Sequence, residues 1–75
     1  MQPVSLDLRG LKCPMPALMA RRALSRAAAG DIVEVVSDDP LASIDVPHMC
    51  RERGYEVLAV ERTAAVTHFI LRRPA

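Results

Sequence analysis

The sequence is poor in the residues on which several large function classes depend. It has no Trp, one Tyr and one Phe, and so lacks the aromatic platforms on which single-stranded bases stack. Its only glycines, Gly10, Gly30 and Gly54, are too scattered to build a phosphate-cradling loop. Two cysteines, Cys13 and Cys50, are too few for a disulfide scaffold and make a poor metal site by themselves. No apolar run approaches the roughly 18 residues that cross a bilayer, which argues against membrane insertion. The segment Met1 to Asp7 has no basic stretch ahead of an apolar one. No secretory signal is read there, and a cytoplasmic setting with reduced thiols is expected. Charge of one sign is missing too. Lys+Arg 10 against Asp+Glu 9 leaves a net charge of +1, so no field or basic groove favours stable binding of nucleic acid.

What is present is globular: 51% of the 75 residues are apolar and 25% charged. A chain of this size folds to about 4,500 Å² of surface and buries only ~60% of what it exposes unfolded. That predicts one domain over residues 1–75 with one thin core. An enclosed cofactor cavity does not fit, and no cofactor or metal is expected.

Val4 to Leu8 alternates apolar and polar residues, the pattern of a half-buried strand. Arg9 to Lys12 turns the chain, and Cys13-Pro14-Met15-Pro16 opens an Ala-rich helix running to about Ala29. Both prolines fall in the first turn, where a missing N–H costs little, and Gly30 is a natural stop. Asp31 to Ser37 is rich in β-branched residues and reads as a second strand. Asp39 before Pro40 looks like an N-cap, and Pro47 predicts a break. A short turn over 40–44 is expected, then a helix from Val46 to about Arg53 recapped by Asp45. Gly54 ends that helix, and 55–62 and 66–73 form a hairpin across Thr63-Ala64-Ala65. The order β-α-β-α-β-β predicts an α/β two-layer sandwich, with a four-stranded mixed sheet and two helices on one face.

On a helical wheel of about 100° per residue, Ala17, Ala20, Leu24, Ala27 and Ala28 form one arc and should pack on the sheet. Met15, Met19, Arg22 and Arg26 lie opposite. Methionines ringed by arginines read as an adaptable docking patch that Arg21 and Lys12 could extend, or as surface residues with no role. Cys13 stands at or beside the helix start. Unpaired N–H groups, the helix dipole, Lys12 and Arg9 are expected to favour its thiolate, the form that attacks and accepts sulfur. Cys50 shares an apolar face with Val46 and Met49 and reads as a small buried hydrophobe. His48 and His68 have no triad or metal spacing, and Asp38, Asp39 and Asp45 read as helix-entry residues.

The run Leu6-Asp7-Leu8-Arg9-Gly10-Leu11-Lys12-Cys13-Pro14-Met15-Pro16 resembles the signature of the TusA (SirA-like) family, with Cys-Pro-x-Pro at the start of the first helix. The likeness continues through Gly30-Asp31, Asp38-Asp39-Pro40, Asp45-Val46-Pro47, Cys50 and Gly54. The resemblance implies a fold similar to the C-terminal domain of bacterial translation initiation factor 3. It implies a sulfurtransferase that holds a persulfide on Cys13, a carrier with no turnover apart from its partners. The donor would be a cysteine desulfurase or a rhodanese-like protein, and the sulfur would pass to an acceptor protein. The destination would be tRNA 2-thiolation or another branch of sulfur metabolism. Lys12, Pro14 and Pro16 would support the thiolate, and Met15, Met19, Arg21, Arg22 and Asp39 would meet partners. A thiol redox module in which Cys50 resolves oxidised Cys13, or an interaction module using the patch alone, are the competing readings.

Overall fold

The alternating segment at the start of the chain forms β1 (Val4–Asp7), and the Ala-rich stretch forms α1 (Met15–Arg26). The β-branched segment forms β2 (Ile32–Ser37), followed by α2 (Ala42–Arg53) and a hairpin of β3 (Glu56–Arg62) and β4 (Thr67–Arg72). This computed structural model describes residues 4–74. The sheet order is β1-β2-β4-β3, with β1 parallel to β2 and both β2 and β3 antiparallel to β4. The expected two-layer α/β architecture with a mixed sheet is therefore what the chain adopts. Strand β4 inserts between β2 and β3, so the second crossover skips one position.

The helix-covered face of the sheet follows the period-2 pattern. Val33 pairs with Leu71, Val35 with Phe69 and Ser37 with Thr67, and all six are buried. Ala20 and Leu24 from α1 and Ala42, Val46 and Cys50 from α2 complete the core with Leu8. Each fully buried Val, Leu or Phe contributes about 1.5–3 kcal/mol, and small alanines let the helices lie close to the strands. The folded surface is 4650 Å², close to the area its length implies.

Three local expectations are corrected. Helix α1 stops at Arg26, not Ala29, because Ala27 turns to an extended backbone. The Arg73 guanidinium donates to the carbonyls of Leu24, Ser25 and Ala27 at 3.3, 2.8 and 3.0 Å, while the Ala28 N–H is taken by the Asp31 carboxylate. Ala28 is thereby exposed rather than packed on the sheet.

Second, Pro47 does not break α2, which runs unbroken from Ala42 to Arg53. The missing N–H would have faced Ser43, at a cost of roughly 3 kcal/mol for an interior proline. Burial of Ala42, Val46 and Cys50 offsets that cost, and Gly54, left-handed at φ 77°, closes the helix. Third, Met19 is half-buried against the core, not on the solvent side. The buried stripe centres on Pro16, Ala20 and Leu24, and the flexible Met19 side chain reaches in from its flank. Leu18 is exposed in its place at 46%.

Candidate functional site

The turn after β1 is built from local hydrogen bonds. Leu8 is buried and donates its N–H to the Val36 carbonyl at 2.8 Å, which extends the β1–β2 ladder by one residue. The Arg9 guanidinium clasps the Asp7 carboxylate at 2.8 and 2.7 Å, and holds that carboxyl down to about 2. Gly10 then takes a positive φ of 87° that L-residues with side chains avoid.

Two consecutive carboxylates at the end of β2 hold the rest of this turn. Asp38 accepts the Gly10 N–H at 2.9 Å, and Asp39 accepts the Cys13 N–H. Asp39 is itself fixed: its own N–H goes to the Ser37 hydroxyl at 3.1 Å, and its second oxygen accepts the Leu41 N–H at 3.2 Å. The expected N-cap role is thus corrected: Leu41 is the capping residue of α2, and Asp39 bridges two loops from two residues further out. Nor is Asp39 a surface group. It is 6% exposed with both oxygens engaged inside the chain, a burial that suits a structural anchor more than a partner contact.

Cys13 itself is exposed, one residue ahead of Pro14, the N-cap of α1. Its Sγ–H donates to the Asp45 carboxylate at 2.7 Å. Asp45, expected to cap a helix, lies inside the first turn of α2, half-buried, with its carboxylate turned to the sulfur. The ionisation of Cys13 runs opposite to the sequence expectation. Its thiol is pushed above the ordinary value, first by the hydrogen bond to Asp45, then by desolvation and by the charges of Asp45 and Asp39. The helix start offers little to counter them. Pro14 and Pro16 have no N–H, and the Met15 N–H is spent on the Lys12 carbonyl at 2.8 Å. Lys12 is exposed, and it is not among the groups that shift Cys13.

Beside Cys13 the two helices leave an open groove of about 330 Å³. Ala17, Leu18 and Arg21 line it from α1, and His48, Met49 and Arg53 from α2. Met15 is 41% exposed and Arg22 is exposed, whereas Met19 has left this surface. Leu18 and Asp45 are the residues that sequence reasoning missed. The signal for Asp45 lay in the topology: parallel neighbours put their C-terminal ends together, so the turn after β1 must lie beside the segment that opens α2.

Cys50 is 0% exposed in the core, and burial pushes its thiol up to about 11. A resolving cysteine needs an accessible, acidic thiol, and Cys50 is neither. His48 sits 3.5 Å from Glu52 on the surface of α2, and His68 is exposed on β4. Among the described residues no group of three or more His, Cys, Asp or Glu is placed to hold a metal, and no helix is long and apolar enough to cross a membrane.

Comparison with known proteins agrees with this arrangement. A SirA-like protein from Desulfitobacterium hafniense has a similar structure, with a TM-score of 0.81 at 25% identity over 96% of this chain and 99% of that one. Residues 4–73, which span every element from β1 to β4 and the cysteine turn between them, match the model of the family described as Sulfurtransferase TusA. The match takes in the whole α/β sandwich with its exposed thiol on a braced turn, and this chain belongs to the TusA sulfurtransferase family.

Proposed function

We propose that Cys13 carries sulfur as a persulfide. The Cys13 sulfur attacks the terminal sulfur of a donor persulfide, the donor's S–S bond breaks, and the donor thiol leaves. The sum is Cys13–SH plus R–S–SH giving Cys13–S–SH plus R–SH, with no oxidant consumed. The same exchange in reverse roles hands the sulfur to an acceptor cysteine. The donor is a cysteine desulfurase or a rhodanese-like protein. The acceptor is a protein of tRNA 2-thiolation or of another branch of sulfur metabolism.

The observation that carries this reading is the placement of Cys13. It is exposed beside an open groove, on a turn whose backbone is pinned by Asp38 and Asp39. A pinned backbone lowers the entropy lost when two sulfurs must meet in line. Among the described residues the groove at Cys13 is open rather than enclosed, so the second half of the reacting site belongs to the partner. Met15, Leu18, Arg21 and Arg22 form the face that the partner meets, apolar contacts within a basic rim.

The test is an intact mass after incubation with a cysteine desulfurase and cysteine. Wild type gains about 32 Da, the mass of one added sulfur. Absence of that gain, or an equal gain on Cys13→Ser, sinks the reading.

A further inference from the structure

We infer that Asp45 is a selectivity device at the carrier cysteine: its carboxylate keeps Cys13 a thiol in the free protein and turns away small anionic sulfur compounds. The inference rests on the carrier reading above and names the donor class it admits, a persulfide presented by a protein.

The geometry is specific. Asp45 Oδ2 lies 2.7 Å from Cys13 Sγ, within direct hydrogen-bond contact, and so occupies that side of the sulfur. Asp39 adds a second carboxylate on the Cys13 amide. A site that attacks a free anion such as thiosulfate or polysulfide needs N–H donors or cations converging on the incoming charge. Here the prolines remove two of those donors and Lys12 O takes a third. The remaining charged neighbours are Lys12 beside Cys13, Arg21 on α1, and His48, Glu52 and Arg53 on α2 across the groove. None of them has a hydrogen bond or ion pair to Asp45, so among the described residues the side-chain partner of its carboxylate is the sulfur alone.

In loading, the S–H bond of Cys13 breaks as Asp45 Oδ2 takes the proton. The sulfur attacks the terminal sulfur of the donor persulfide, and the departing donor thiolate takes the proton from Asp45. Protons, sulfur and electrons balance without any further reagent. Asp45 touches the reacting atom, so it is a catalytic residue of the carrier as well as its screen.

The experiment compares alkylation of Cys13 by neutral iodoacetamide and by anionic iodoacetate across pH, in wild type and Asp45→Asn. In wild type the midpoint of the pH profile lies above the free-thiol value of about 8.5. In Asp45→Asn it falls toward that value, and the preference for iodoacetamide over iodoacetate drops about fivefold, as expected for loss of one adjacent charge. Thiosulfate or inorganic polysulfide adds a sulfur to Asp45→Asn but not to wild type. Salt supplies a check without a variant: raising ionic strength speeds iodoacetate but not iodoacetamide on the wild-type protein. Equal midpoints and equal reagent ratios in the two proteins, or no salt effect, overturn the inference. If those ratios hold while no protein donor ever loads Cys13, the carrier reading fails and the charge screen stands.

Discussion

The carboxylate of Asp39 accepts the backbone N–H of Cys13, and its other oxygen accepts that of Leu41. One buried side chain thereby joins the turn that presents the sulfur to the segment that starts α2. Charge-assisted bonds to a carboxylate are worth about 1.5–3 kcal/mol each, and a buried N–H left without an acceptor costs about as much. Asp39→Ala should lower stability by about 2–3 kcal/mol in urea unfolding. It should also speed hydrogen exchange at the Cys13 amide by at least tenfold relative to core amides. Unchanged exchange at Cys13 would show that the turn holds itself.

Arg73 reaches back across 46 to 49 residues of sequence to cap α1 at three carbonyls. A cation at a helix C-terminus answers both the unpaired carbonyls and the negative end of the dipole. Arg73→Ala should cost about 1–2 kcal/mol, a drop of roughly 4–16 °C in melting temperature for a domain of this size. Arg73→Lys should recover only part, because one ammonium cannot spread over three acceptors. Full recovery with Lys would mean that charge alone matters there.

Cys50 makes stability depend on alkaline pH. Its folded-state value is raised to about 11, while an unfolded thiol titrates near 8.5. The folded state therefore holds a proton that the unfolded chain releases. Its stabilising contribution is complete below about pH 8.5 and is lost as pH rises toward 11. The loss should be on the order of 2–3 kcal/mol. In a Cys13→Ser background, urea midpoints at pH 8 and pH 10.5 should differ more for the Cys50 protein than for Cys50→Ala. Parallel pH dependence in the two would remove Cys50 as the cause. In native wild type, a thiol reagent should modify Cys13 alone, with Cys50 reacting only after unfolding.

The partner face can be separated from the fold. Leu18 is 46% exposed on α1 beside the groove, so Leu18→Glu should change melting temperature by less than about 4 °C. Sulfur loading from a desulfurase should nevertheless slow at least fivefold, because a charge would be desolvated in the apolar part of the contact. Arg22→Glu should act in the same direction with a steeper salt dependence. Normal loading rates in both variants would move the partner face elsewhere on the molecule.

Much of this was legible in the sequence because it depends on local pattern. Alternation marked β1, β-branched content marked β2, and Ala20 and Leu24 fell on the buried arc of α1 as the helical period requires. Cys13 stood out through its flanking prolines, and Cys50 through its place among apolar neighbours one turn apart. Where the reading failed, packing and contacts across the fold had intervened. Arg73 shortened α1 from 46 to 49 positions away, and burial of Val46 and Cys50 in the core carried α2 through Pro47. The apolar face of α2 was visible locally, but how deeply it is buried depends on the sheet beneath it.

The sequence by itself determined the family, the element order and the cysteine proposed to bear the chemistry. These follow from residue types and spacing, which are local. The tertiary structure alone decided the charge around that cysteine. Local reading set Cys13 against a helix N-terminus, Arg9 and Lys12, and concluded that an anion is favoured. The parallel β1–β2 pair instead brings the ends of two strands together and sets Asp39 and Asp45, 26 and 32 positions away, against its amide and its sulfur. Electrostatic energy depends on distance in space, and only the folded chain fixes that distance.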